Sequence, residues 1–266
     1  ALRGMIYMWK KEYDSAIKDF EEVKKCGYDL WEGKYIDFFK YENEKDKEMI
    51  LPLQYDEASG YCDNIQLMVG SRDHYDCWTE LIPSADFVDY YRNADGSEFK
   101  WSAYLTGWDD LTPAQREVFF LRNNLTSNQS AYNDAKSRIG AEVMNKYYLD
   151  SGNEARIKKA YESRDPRLQQ TIITPYSSTN CYSPYWNSGE PMQNKVLRWP
   201  YLNRGGNNGD MWHNQRNAGY YIYKKYNETE KGRYIERLRC HCDYPLIRFT
   251  DVWLLYAEAL NETDRL

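Results

Sequence analysis

Residues 245–262 read PLIRFTDVWLLYAEALNE, and their spacing predicts a single amphipathic helix. Phe249, Val252, Trp253, Tyr256, Ala257 and Leu260 recur at helical intervals and make one wide apolar stripe. A stripe of that width needs a packing partner, so the stretch belongs to a layer of helices. Pro245 stands at the entry, where a missing N–H costs nothing. Arg248, Asp251 and Glu258 are the only charges before the C-terminal tail. Arg248 and Asp251 lie three apart on a buried face, and a structural ion pair is the simplest expectation for them.

The other end of the chain offers helices of the same kind. Leu2 to Cys26 read as a helix pair, within the first 30 residues. The run YDSAIKDF at 13–20 places Tyr13, Ala16 and Phe20 as in the second helix of a tetratricopeptide repeat. Ala16 is small enough to let two helices approach closely. Gly27 then predicts a left-handed cap. Aromatic residues follow at Tyr35, Phe38 and Phe39, and EMILPLQY at 48–55 predicts a short extended segment.

Between these ends the pattern is irregular. Residues 56–83 have no clear period and predict a long loop. Ser84 is a good cap for a short helix over Ala85 to Tyr91, and Asp95-Gly96 predicts a turn. Thr112-Pro113 predicts a further helix start. Ala135, Ile139, Val143 and Tyr147 stand four apart and predict one helix over Ala131 to Leu149. RDPRL at 164–168 is expected to lead into an extended run to Thr174. Residues 175–220 form a second long inserted loop, and Tyr221 to Tyr226 a strand. A loop of that length inside a compact domain is functional or disordered, and its aromatic load argues against disorder.

Composition narrows the function. A net charge of −6 argues against nucleic acid, whose binders present a basic face. Mean hydropathy of −0.88 and the lack of a long apolar run exclude a membrane-spanning segment. The chain holds 26 Tyr and 9 Trp against 8 Phe, a bias toward rings with a polar handle. Such rings serve wet interfaces, because one end is apolar and the other hydrogen-bonds. Sugars present the matching surface: C–H faces that stack on rings and hydroxyls that meet amides and carboxylates. The chain starts at Ala1 without a leader pattern and reads as part of a longer protein, with helices expected beyond both ends. The six cysteines give no readable disulfide framework.

Catalytic and metal patterns are weak. The three histidines, His74, His213 and His241, belong to no HExxH pattern. No Gly-x-Ser-x-Gly, Walker or dinucleotide loop occurs. Asp109-Asp110 and the Asp73/Asp76 pair are adjacent carboxylates, which glycoside hydrolysis could use, yet solvated loop acids are the commoner explanation. Cys240-His241-Cys242 is spaced too tightly for a usual zinc site and has no second Cys/His pair nearby. Two thiols on one face of a strand explain it more simply. Neither a metal nor a cofactor is expected.

Binding residues are easier to nominate. Ser71 to Trp78 offers Trp78 and Tyr75 as stacking rings, with Arg72, Asp73 and His74 as donors and acceptors. Tyr182 to Trp212 offers Tyr185, Trp186, Asn187, Trp199 and Trp212, with Tyr201, Asn203 and Arg204 beside them. For each Trp the competing explanation is a loop anchor plugged into the core. Polar neighbours favour exposure at Trp78 and Trp186. Trp101 and Trp108 bracket another loop and are weaker candidates.

Several of these strings recur in one known family. PLIRFTDVWLLYAEALNE resembles the PLIRxADVLLLYAEALNE block of the SusD/RagB family, surface glycan-binding lipoproteins of Bacteroidetes. Phe249, Thr250 and Trp253 are the small departures. GYDLW at 27–31 with Tyr35, Phe38 and Phe39, then EMILPLQY, resemble a second block. Pro83, Ser84, Val88, Asp89, Tyr91, Asp95 and Gly96 match a third string, and RDPRL is a further landmark. The resemblance implies a mainly α fold. Tetratricopeptide-like helix pairs would pack against a loop-rich region with short strands, in a single domain over 1–266. It further implies non-catalytic binding of oligosaccharides or polysaccharides at the outer-membrane surface. An N-terminal lipid anchor outside this chain and a SusC-like TonB-dependent transporter as partner go with it. The family's site residues vary between members, so none is carried over. A surface glycosidase and a protein- or peptide-binding member of the same scaffold are the alternatives.

Overall fold

The computed structural model describes residues 1–71, 74–75, 77–183, 187–198, 221–227, 229 and 238–265. In chain order the helices are α1 (Leu2–Trp9), α2 (Tyr13–Lys24), α3 (Ile65–Val69), α4 (Ala85–Asp89) and α5 (Gln129–Ile139). They continue as α6 (Ala141–Tyr147), α7 (Asn153–Glu162), α8 (Pro166–Thr171) and α9 (Phe249–Glu262). The strands are β1 (Met49–Leu53), β2 (Ile172–Ile173), β3 (Ser178–Cys181), β4 (Met192–Val196), β5 (Ile222–Tyr223) and β6 (Tyr244–Arg248). The fold is mainly helical with short strands, as the sequence predicts. Contacts divide the chain into two compact units, Ala1–Asp63 with Leu238–Leu266, and Asn64–Arg237.

The first unit is built from both ends of the chain. Helices α1, α2 and α9 pack around Met8, Ala16, Ile17, Phe20, Val23, Phe249, Val252 and Ala259. The approach of α1 to α2 is close because Gly4 has no side chain. A Cβ there would stand 2.6 Å from the Phe20 ring. Arg3 Nη2 adds an ion pair to Asp19 Oδ1 at 2.6 Å.

The opening helix prediction is corrected at its start. Tyr244–Arg248 is strand β6, antiparallel to β1, with Met49 opposite Arg248 and Leu53 opposite Tyr244. A two-stranded sheet has only edges, which is where a proline can sit without breaking a ladder. The helical face of α9 is also narrower than the sequence stripe. Phe249, Val252 and Ala259 are buried, whereas Trp253, Leu254 and Ala257 are exposed.

The expected ion pair is present and larger than a pair. Arg248 Nη2 lies 3.5 Å from Asp251 Oδ1, and the Arg248 N–H donates to Asp251 Oδ2 at 2.9 Å. Arg248 Nη1 also meets Glu48 Oε1 at 3.2 Å. Glu48 is buried, and its carboxylate accepts from Thr250 Oγ1 at 2.7 Å and from the Trp31 N–H at 2.6 Å. A buried charge is tolerated when every oxygen is satisfied in this way.

The second unit has the larger core, rich in rings. Trp101 is buried and stacks on Trp108, with centroids 4.9 Å apart and planes 24° apart. Phe119, Phe120, Tyr161, Ile157, Leu168 and Ile172 complete the surrounding cluster. Trp101 is therefore a core residue and not a surface platform. The helix expected over Ala131 to Leu149 is broken into α5 and α6 at Gly140, whose φ of +101° only glycine adopts freely. The run after Arg164 is helical where extended chain was expected. Asp165 caps α8, its Oδ1 accepting from the Arg167 N–H at 2.9 Å, and Pro166 occupies the first turn. The helix expected from Thr112 is a 3-10 segment over Gln115–Phe120.

Candidate functional site

The Ser71 to Trp78 loop is held from within. His74 is 0 % exposed, with Ser71 Oγ 2.7 Å from Nδ1 and Cys181 Sγ 3.6 Å from Nε2. Burial pushes the imidazole down to about 4, so at neutral pH the ring is uncharged. Tyr75 is buried beside Tyr182, ring centroids 5.6 Å apart, and its N–H donates to Tyr182 O at 2.6 Å. Trp78 is half-buried, its N–H donating to Leu67 O at 2.7 Å. His74 and Tyr75 thus sit inside the fold and position the loop, while Trp78 keeps part of its surface open. Arg72, Asp73 and Asp76 lie outside the described residues. So do Tyr185, Trp186, Trp199, Tyr201, Asn203, Arg204, His213 and Trp212, and of Asn187 only the backbone is described.

A different set of rings lines an open cleft that sequence reasoning missed. Ser84 starts α4, its Oγ accepting from the Phe87 N–H at 3.1 Å. A helix of five residues buries little, and here only Val88 is buried. The other rings are pushed outward: Phe87 is 45 % exposed and Tyr90 86 % exposed. Tyr91 braces Phe87 edge-on, centroids 5.7 Å apart. The chain then turns at Asn93–Ser97, where Gly96 has a φ of +84°.

The cleft is tied to the core through Arg164. This side chain is 2 % exposed, and its Nε donates to Tyr91 O at 2.9 Å and its Nη2 to Val88 O at 2.6 Å. Its guanidinium lies 3.5 Å from the centre of the Phe99 ring. Asn93 and Arg164 form an antiparallel bridge, and the Asp165 N–H donates to Arg92 O at 2.9 Å. These bonds join the segment after α4 to the start of α8. Between them opens a cleft of about 460 Å³, whose walls include Phe87, Tyr90, Arg92, Asn93, Asp165 and Arg167. That volume lies in the range of small-ligand sites. At the rim Arg167 Nη2 pairs with Asp165 Oδ2 at 2.5 Å. The hydrogen bond from Arg167 holds the Asp165 carboxyl below the usual carboxylate range. Arg92 Nη1 donates to Gly96 O at 3.1 Å.

A second cleft, of about 410 Å³, is lined by Arg122, Asn123, Asn124, Glu154 and Arg198 and carries no ring. Among the described residues no group of three or more His, Cys, Asp or Glu is placed to hold a metal ion. Cys240 and Cys242 are buried, and the His241 ring packs edge-on to Tyr41 at 4.8 Å. Asp109 and Asp110 are exposed on a 3-10 turn. No helix among the described residues is long and apolar enough to cross a membrane.

The RDPRL and α4 strings therefore frame one ring-lined cleft, and both belonged to the family resemblance. The chain belongs to the SusD family, whose model matches residues 30–266. Its fold is similar to that of a SusD-like protein from Bacteroides fragilis, with a TM-score of 0.56 and 21 % identity. That likeness covers 100 % of this chain and 43 % of the other. A SusD-like carbohydrate binding protein from the same organism gives a TM-score of 0.55 and 19 % identity, over 98 % of this chain and 39 % of that one. The chain thus spans less than half the length of these structures. No curated protein matches it in sequence.

Proposed function

We propose that this protein binds oligosaccharides or polysaccharides at the cell surface without cleaving them and passes them to a TonB-dependent outer-membrane transporter. Membership of the SusD family over residues 30–266 carries this reading. The carbohydrate-binding description of one similar structure supports it, as does the excess of Tyr and Trp over Phe. The lipid anchor and the SusC-like partner follow from the same family reading.

The recognition chemistry is stacking plus hydrogen bonding. Trp78 offers the ring at the first loop, with Arg72 and Asp73 as polar neighbours and His74 and Tyr75 shaping the loop from inside. Tyr185, Trp186, Asn187, Trp199 and Trp212 contribute from the second loop. A protein that must release its cargo to a transporter needs weak binding, millimolar to micromolar, or roughly −4 to −8 kcal/mol.

Calorimetry of the intact protein against maltohexaose, cellohexaose, xylohexaose and mannohexaose tests the reading. At least one probe is expected to bind, with Trp78→Ala and Trp186→Ala weakening it, and no reducing sugar is expected to appear. Binding of none would overturn glycan recognition. Release of reducing sugar, abolished by a single Asp or Glu substitution, would make the protein a glycosidase instead.

A further inference from the structure

We infer that the cleft beside α4 is an additional glycan contact, taking a neutral pyranose unit on the Phe87 and Tyr90 rings. The inference rests on the glycan-binding reading above but uses none of the residues assigned there.

Three observations carry it. The first is ring exposure beside a cavity. Tyr90 is 86 % exposed and Phe87 45 % exposed, and both line the cleft of about 460 Å³. Their apolar faces stand in water next to a space that a sugar ring can enter, and stacking of C–H groups on those faces removes apolar area from water. The second is rigidity. Arg164 fixes the carbonyls of Val88 and Tyr91 at 2.6 and 2.9 Å, so the platform is held before any ligand arrives. Little ordering entropy then opposes binding.

The third is the rim. Arg92 lines the cleft and gives one N–H to Gly96 O, and its fork holds further N–H donors. On the same wall the Asp165 oxygens hold Arg167, and the Asn93 amide donates to Ser97 Oγ and Glu98 O, so these two groups stiffen the rim. Vicinal hydroxyls of a pyranose can accept from the fork of Arg92. Arg92 leaves one positive charge on the wall, and it is the net charge of the whole chain that works against an acidic glycan. Asp165 and Arg167 neutralise one another at 2.5 Å, and the whole chain carries −6. A polyanion would meet repulsion that a neutral chain does not.

The test uses the intact protein, the four neutral hexasaccharides named above and an oligogalacturonate. Tyr90→Ala and Arg92→Ala remove the ring and the fork from exposed positions, and circular dichroism of both is expected to match the unsubstituted protein. Tyr90→Ala is expected to lower affinity for the best neutral probe about tenfold. Arg92→Ala is expected to lower it about threefold. Unchanged affinity in both variants, with losses in Trp78→Ala or Trp186→Ala, would overturn the cleft and leave the glycan reading standing. Binding of no probe by the unsubstituted protein would overturn both. Tighter binding of oligogalacturonate, lost in Arg92→Ala, would overturn the neutral class.

Discussion

His74 shows how one residue changes role when its neighbours are known. In the sequence it is a polar group in a loop rich in polar groups. In the fold it is an interior strut between Ser71 and Cys181. Its stability effect has a definite sign. Burial lowers the folded-state value from 6.5 to about 4, so the unfolded chain takes up a proton first as pH falls. The stabilisation is complete above the unfolded value and is lost between pH 6.5 and about 4. Chemical denaturation at pH 7 and pH 4.5 is expected to show a loss of about 2 kcal/mol traceable to this residue. The comparison is with His74→Gln, which lacks that slope; equal slopes in the two proteins would remove His74 as the cause. Glu48 illustrates another kind of burial, a carboxyl group whose oxygens accept from Arg248, Thr250 and the Trp31 amide. Arg164 is the donor counterpart in the second unit, fixing the carbonyls of Tyr91 and Val88 from a buried position.

At the scale of elements, small residues set the geometry. The contact of α1 with α2 depends on Gly4 lying against Phe20. Alanine is the better helix former, by about 1 kcal/mol, but its methyl would meet a buried ring at 2.6 Å. Overpacking is the larger effect, so Gly4→Ala is expected to destabilise the protein by about 1–2 kcal/mol. Urea unfolding checks this, and a Gly4→Ala protein as stable as its parent would show that the Phe20 ring yields. Gly140 acts differently, since its positive φ lets α5 end and α6 begin at a new angle. The four-residue spacing from Ala135 to Tyr147 survives that break, which is why the sequence pattern reads as one continuous helix. Asp165 and Pro166 are a cap and a first-turn proline. The same two residues suit an extended strand start equally well, and only their contacts with the segment after α4 separate the two readings.

At the scale of the whole molecule, charge and aromatic content are what the environment meets. A chain at −6 is expected to pass a duplex-DNA column unretained at low salt. Retention that fades as salt rises would reveal a basic face that the composition does not show. The binding reading was legible at this scale, because Tyr and Trp excess and the absence of catalytic motifs are properties of composition and local order. The ring-lined cleft was not. Phe87, Tyr90 and Tyr91 look like ordinary members of a short amphipathic helix, and their exposure follows from the length of α4, which buries Val88 alone. One signal was available: three rings in five residues exceed what so short a helix can hide.

What the sequence determined by itself was the helical framework and its caps. Periodicity, Ser84 and Gly27 act through neighbours a few residues away, so their consequences are local. The tertiary structure decided which polar and aromatic side chains face inward and which face water. His74 and Trp101 were drawn into the interior, and Tyr90 was left outside, because burial depends on what arrives from distant parts of the chain. The segment around Arg164 reaches α4 across more than seventy residues, and no local pattern records that meeting.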